Sequence, residues 1–249
     1  MNRLPDCFEA FPVDFHSHIL PGIDDGSQDA ATSHRMLELS AEQGVRIMVA
    51  TPHFYPEMYS LNRFLEGREA SLDYIQNVAE NLGITVLAGA EVAFFPGMSR
   101  GEGLERLTIS GTSLMLLEMP FRPWDKMDIR EVENLIRRGI RPVIAHLERL
   151  YPYQIDLHRS EELLELPVYA QINAEALTAW RTRRLALRLF RGGKAQLLGS
   201  DCHNLTTRPP NLEQGRAVIR EKLGESRLHQ MDALGMELLK GSLLGRDVM

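Results

Sequence analysis

The chain has 249 residues, of which 44% are hydrophobic and 25% charged, ordinary globular values that exclude a long disordered, collagen-like or coiled-coil protein. A net charge of −6 gives no electrostatic footprint for nucleic acid. The two cysteines, Cys7 and Cys202, cannot build a disulfide framework and read as a reduced, intracellular chain.

In chain order, the first strand is expected over Val13–His16. It follows an N-terminus whose acids and prolines are unlike the apolar run of a signal peptide. Further strands are expected at Arg46–Ala50, Thr85–Ala90, Leu114–Glu118, Pro142–Ala145, Val168–Ile172 and Gln196–Gly199. Several are continuously apolar, as strands covered on both faces should be. Between them run amphipathic helices. Leu72, Ile75, Ala79 and Leu82 share one helix face, as do Val132, Leu135 and Ile136 after a predicted N-cap at Asp128. Gly44, Gly83, Gly139 and Gly192 mark helix ends, and the tail after Asn211 reads as helical. Seven βα repeats imply an α/β fold with a parallel sheet closed into a barrel, one domain over residues 1–249. No stretch approaches the roughly 18 apolar residues of a membrane span, and the expected location is cytoplasmic.

Five of the eight histidines, His16, His18, His53, His146 and His203, follow an expected strand within a few residues. So do Asp24, Asp25, Glu91, Glu118 and Asp201. Parallel α/β folds build their sites at the C-terminal strand ends. One histidine there is usually structural; six strands running into His, Asp or Glu point to a metal cluster. Imidazole with carboxylate, and no recurrent thiolate, suits Mn, Fe, Zn or Mg. In His16-Ser17-His18, period-two alternation points both rings to one face. So many donors exceed one ion, and Glu91 or Asp201 could bridge. Two or three ions held about 4 Å apart clamp a displacement at phosphorus and acidify water.

The motif HSHILPGIDDG, then TPH, GAE, HLERLY and SDCHN followed by RPP, run in order from Val13 to Pro210. The chain thereby resembles the PHP superfamily of metal-dependent phosphoesterases, and within it the CpsB/CapC group of bacterial capsule and exopolysaccharide tyrosine-protein phosphatases. The resemblance implies a distorted seven-stranded (β/α) TIM-like barrel, in agreement with the strand count. It implies two or three divalent ions, with Mn the first expectation. His16, His18, Asp201 and Glu91 would hold one ion. Glu91 would bridge to a second, held by Glu118 and His146, while Asp25, His53 and His203 would hold a third. Asp24 matches an acidic position that is not usually a ligand. Arg149 and Arg208 would be catalytic, meeting phosphate and leaving metal content untouched. In HLERLY the tyrosine after the arginine is displaced to Tyr151. The implied substrate is the phosphotyrosine-bearing tail of a membrane-bound tyrosine autokinase controlling capsular or exopolysaccharide synthesis. The alternative is a small phosphate ester such as histidinol phosphate or a nucleotide.

Other readings compete. An amidohydrolase would want a bridging lysine, but none of the four lysines follows an expected strand, and the net acidity disfavours a nuclease. Cys202 and Arg208 fit the C-x5-R spacing of a cysteine phosphatase, but the loop between them has no glycine to turn N–H groups onto phosphate. A non-catalytic barrel would not need a complete donor set. Phe54, Tyr55, Phe94, Phe95, Phe121 and Trp124 lie just past the donor strands; for most of them loop packing is the expected role. Arg181, Arg183, Arg184 and Arg188 could attract an acidic phosphopeptide, but a solvated helix face is expected.

Overall fold

The structure is a computed structural model that describes residues 10–155 and 157–244, so Cys7 lies outside the described residues. The expected alternation is present. The chain opens with β1 (Val13–Ser17), α1 (Ala30–Glu42), β2 (Ile47–Ala50), β3 (His53–Phe54) and α2 (Leu61–Asn81). Next come β4 (Thr85–Ala88), β5 (Glu91–Ala93), β6 (Leu114–Glu118), α3 (Lys126–Arg137) and β7 (Arg141–Ile144). Short helices α4 (Leu147–Leu150) and α5 (Leu157–Glu165) lead to β8 (Tyr169–Asn173). The chain closes with α6 (Ala174–Thr178), α7 (Arg183–Arg191), β9 (Leu197–Gly199), α8 (Leu212–Leu223) and α9 (Glu225–Leu244).

Every strand pair is parallel, but the ladder is not one continuous seven-stranded sheet. One sheet has the order β1-β2-β4, the other β3-β5-β6-β7-β8-β9. The break falls at matching points. Thr51–Pro52 separates β2 from β3, and Gly89–Ala90 separates β4 from β5. Proline has no N–H for the ladder. The register nonetheless carries through, Ala50 pairing with Ala88 and His53 with Glu91. A bridge between Ser17 and Cys202 links the two sheets at the β1 and β9 sides.

Alternate strand residues fill two cores. Met48, Met115, Leu117, Ile144, Ile172 and Leu198 pack toward the helices. Val13, Phe15, Ile47, Val49, Leu87, Leu114, Leu116, Val143 and Leu197 form a second cluster drawn from both sheets, closed by Leu239 of α9. The C-terminal strand ends lie beyond this apolar layer.

Local chemistry departs from expectation at two helix ends. The cap of α3 is Asp125, not Asp128: Asp125 accepts from the Met127 and Asp128 N–H groups, and the Asp128 carboxylate accepts the Asp125 N–H in return. That capping box satisfies two otherwise orphaned donors, and it begins the helix a turn earlier. Gly44, Gly83 and Gly139 are left-handed as stop residues should be, but after α7 Gly193 carries that conformation and Gly192 does not.

Candidate metal centre

On most strands the step from core to site is two or four residues, which preserves the face. Leu116 leads to Glu118, Leu197 to Asp201, Leu87 to Glu91 and Val49 to His53. On β1 and β7 the parity is wrong, and the backbone corrects it. The β1 register shifts between Asp14 and Ser17, so Phe15 joins the apolar cluster while His16 turns to the site. His146 follows the inward Ala145 directly, with φ 31°. Among the described residues, His146 and Asp201 (φ 54°) are the non-glycine residues of positive φ. Such strain persists where surroundings over-determine it, commonly at functional sites. A Cβ on Gly26 would lie 2.4 Å from the His18 Cβ, and one on Gly199 2.6 Å from the His16 Cβ, so both positions need glycine for the histidines to fit.

The structure brings the nine expected metal residues together. Glu91 Oε2 lies 3.2 Å from His16 Nε2, 3.3 Å from His18 Nε2 and 3.0 Å from His53 Nδ1. Its other oxygen lies 2.8 Å from His146 Nε2, which is 3.3 Å from Glu118 Oε1. Asp201 Oδ1 lies 3.3 Å from His16 Nε2, 3.4 Å from His18 Nε2 and 3.7 Å from His203 Nδ1. Asp25 Oδ1 faces His53 Nε2 at 3.5 Å and His203 Nε2 at 3.6 Å. Three sets of donor atoms fall within 4.8 Å of one another: His18, Asp25, His53 and His203; His16, His18 and Glu91; and His53, Glu91 and Glu118. His53 therefore faces both Glu91 and Asp25 rather than Asp25 alone.

Hydrogen bonding by itself does not account for this packing. The Nε2 atoms of His16 and His18 are 3.0 Å apart, and at most one can carry a proton between them. Among the described residues, buried His53 Nδ1 and His146 Nδ1 have no hydrogen-bond partner, and His53 Nδ1 meets Glu91 Oε2 without hydrogen-bond geometry. Spacings of about 3.0–3.4 Å are the edges expected between donors sharing a cation at roughly 2.1 Å. The donor set therefore fits divalent ions.

Outer contacts aim the rings. His18 Nδ1–H donates to Asp24 Oδ2 at 2.7 Å, and the same carboxylate accepts the His53 and Gly26 N–H groups. Asp24 orients a ring, while Asp25 faces the cluster. His203 Nδ1–H donates to the Asp201 carbonyl at 2.9 Å, which leaves Nε2 as an acceptor. Burial opposes charge on Glu91, but the ring of imidazoles around it, His16, His146 and His18, holds it well below the usual carboxylate range. Asp201 is likewise buried, yet His16 and His18 beside it hold its carboxyl well below the usual range. Burial also opposes charge on His146, which Glu118 and Glu91 raise to about 10. Burial, with the charges of His18 and Arg208, pushes His203 down to about 4.

Arg208 NH2 lies 2.5 Å from Asp201 Oδ2, and NH1 donates to His203 Nε2 at 2.8 Å. Arg208 thus touches two of the residues expected to hold metal. Arg149 NH1 is 3.5 Å from Asp201 Oδ2, and its guanidinium lies 5.3 Å above the Phe121 ring. Of the aromatics, Phe54 and Trp124 are buried and Phe94 and Phe95 pack on the core. Tyr55 stacks on His53, and half-exposed Phe121 on His146. A cleft of about 640 Å³ lined by Tyr55, Met58 and Tyr59 opens beside His53 and Asp25.

Two sequence features resolve as structural. Cys202 is fully buried, and burial together with Asp14 pushes its thiol up, away from thiolate character; Arg208 is engaged with Asp201 and His203. Arg183 donates to the Leu177 and Thr178 carbonyls, closing the end of α6. Asp14, Gln171 and Asn173, which carried no signal in the sequence, touch the site residues from behind.

The chain is 30% identical over 233 residues to the tyrosine-protein phosphatase YwqE of Bacillus subtilis, covering 91% of each. It is 28% identical over 234 residues to the tyrosine-protein phosphatase CpsB of Streptococcus pneumoniae, covering 88% of this chain and 94% of the relative. A crystal structure from work on YwqE of Bacillus subtilis and CpsB of Streptococcus pneumoniae, described as unique metal-dependent tyrosine phosphatases, superposes with a TM-score of 0.77 and 25% identity, covering 92% and 95% of the two chains. An organophosphorus hydrolase variant from Deinococcus radiodurans (TM-score 0.54, 14% identity, 93% and 92% covered) shares the fold alone. Residues 12–235 match the family described as "Capsular polysaccharide synthesis, CpsB/CapC", and the chain belongs to that family.

Proposed function

We propose that the protein is a metal-dependent protein-tyrosine phosphatase, hydrolysing phosphotyrosine to tyrosine and phosphate. The carrying observation is the crowded His–carboxylate cluster, in a chain whose relatives are named tyrosine-protein phosphatases. In this reading the two sheets are arcs of one distorted seven-stranded barrel, and the strands' C-terminal ends hold the ions. His16, His18, Asp201 and Glu91 would hold one, Glu118 and His146 with Glu91 a second, and Asp25, His53 and His203 a third. Mn is the expected metal. Divalent ions, when bound, supply Lewis-acid charge neutralisation and lower the pKa of water.

The chain's own groups do the rest. Arg149, propped on Phe121, reaches a phosphoryl oxygen and meets the charge that develops there. Arg208, beside the same oxygen of Asp201, does the same; its bond to His203 Nε2 takes the lone pair that an ion would use, and gives way when the ion binds. Phe121 and Tyr55 flank the cluster and offer rings against which a phenyl group packs. A phenol leaves with a pKa of about 10, so it needs less protonic help than an alkoxide. The family's place in capsule synthesis supports a substrate on the cytoplasmic, tyrosine-bearing tail of a membrane-bound autokinase. Among the described residues, no helix is long and apolar enough to cross a membrane.

Chelator-stripped protein should lose activity on phosphotyrosine peptides and regain it with Mn²⁺, and aryl phosphates should be preferred to histidinol phosphate and nucleotides. Full turnover in metal-free protein would end the proposal, and a preference for alkyl esters would redirect it to a small-molecule substrate.

A further inference from the structure

Strand β8 contributes no metal residue to the expected sets, yet its inward face is polar and buried. On β8, Gln171 and Asn173 are two apart and share a face, while Ala170 and Ile172 pack in the outer core. Gln171 is fully buried and Asn173 nearly so. A buried amide must be satisfied, and here the partners fix which way each amide points.

The argument starts from one backbone N–H. His146 N lies 2.8 Å from the Gln171 side-chain oxygen, and a backbone N–H can only donate, so that atom is the acceptor Oε1. The same oxygen lies 3.2 Å from His16 Nδ1, which must therefore carry the proton there. That leaves His16 Nε2 to present its lone pair to Glu91 and Asp201. Gln171 Nε2 then donates to Asn173 Oδ1 at 2.8 Å, which turns Asn173 Nδ2 toward Asp201 Oδ2 at 2.7 Å. Asn173 Nδ2 occupies one oxygen of Asp201, and Oδ1 is left facing His16 and His18. Glu148 beneath accepts the Asn173 backbone N–H with both oxygens at 3.4 Å. A Cβ on Gly199 would lie 2.8 Å from Gln171 Nε2, so the glycine leaves room for the amide.

We infer that Gln171 and Asn173 form an amide relay that positions the cluster, holding His16 as the Nδ1–H tautomer, anchoring the His146 backbone, and orienting Asp201. The inference rests on the metal reading of the site above. Gln171 and Asn173 are positioning residues: both are buried behind His16, His146 and Asp201. Their role explains how β1, β7 and β9, whose contributions are up to 185 residues apart in the chain, keep a common registry at their ends.

The test uses the full chain, freed of metal, with three variants. Gln171→Leu and Gln171→Met remove donor and acceptor while keeping bulk. Gln171→Glu keeps the acceptor for His146 and His16. Mn²⁺ affinity is measured by titration calorimetry, and the His16 tautomer by ¹⁵N resonances of the imidazole nitrogens. Gln171→Leu and Gln171→Met should bind Mn²⁺ about 10–100-fold more weakly, with His16 shifting to a mixture of tautomers. Gln171→Glu should restore the Nδ1–H form and part of the affinity, which a packing role would not predict. Wild-type affinity and tautomer in the leucine and methionine variants would overturn the relay. If leucine prevents folding, the methionine variant carries the same reading. Wild-type protein that binds no Mn²⁺, Zn²⁺ or Fe²⁺ would instead refute the metal reading, and the resonances of the metal-free variants would still decide the relay.

Discussion

The inner face of the strands has two halves built from the same periodicity. In the lower half, Val13, Phe15, Val49, Leu87, Leu116 and Leu197 interlock and α9 closes the end with Leu239. Beyond them, toward the C-terminal strand ends, stand His16, His53, Glu91, Glu118 and Asp201. The lower half gains from removing apolar surface from water, a non-directional term that tolerates exchange of one hydrophobe for another. The upper half crowds carboxylates and imidazoles that are stable only with positive charge among them and donors behind them. The same strands thus supply stability at one end and chemistry at the other, and substitutions should separate the two.

The sharpest test carries the lower half's chemistry upward. Glu91→Leu removes the carboxylate nearest four histidines and should cut turnover at least about 100-fold, with fewer Mn²⁺ ions retained by metal analysis. Near-normal turnover in a folded variant would show that the upper half is not the site. The converse change, Leu116→Ala or Leu239→Ala, should cost about 2–5 kcal/mol of stability by urea denaturation, while turnover per folded molecule is kept. Loss of Mn²⁺ in either would mean that the halves are not separable.

Within the upper half the two arginines should differ. Arg149→Ala should lower kcat/KM by about 2–4 kcal/mol in transition-state terms with bound Mn²⁺ unchanged. Arg208→Ala should lower it similarly and also loosen Mn²⁺, because Arg208 holds one oxygen of Asp201 and so aims the other at the cluster. Identical metal content in the two variants would contradict that contact. The smallest effect belongs to Cys202→Ser. Cys202 is buried and its thiol is pushed up, so the variant should keep most activity and the wild type should resist iodoacetamide. Inactivation by both would move the nucleophile to the cysteine.

The strand-end donors were legible because the signal is local: an apolar run with period two ends in His, Asp or Glu on the same face. Gln171 and Asn173 were not legible. Amides are unremarkable in composition, and their partners His16 and Asp201 lie 155 and 28 residues away. The break at Thr51–Pro52 and Gly89–Ala90 also escaped, since β5 continues the apolar run of β4 and only pairing shows that the ladder changes sheets. At α3, Asp128 read as the N-cap, but Asp125 and Asp128 cap each other, and Glu131, three residues on, accepts the Ser99 N–H.

By itself, then, the sequence determined the parallel α/β alternation, the apolar inner layer and the donor residues that follow it, because each depends on spacing along one segment. Only the tertiary structure decided which donors face one another, that Asp24 orients His18 while Asp25 faces His53 and His203, that Arg208 engages Asp201 and His203, and which nitrogen of His16 carries its proton. Those are settled by contacts between strand ends far apart in the chain, where a buried polar group takes whichever partner the fold brings within reach.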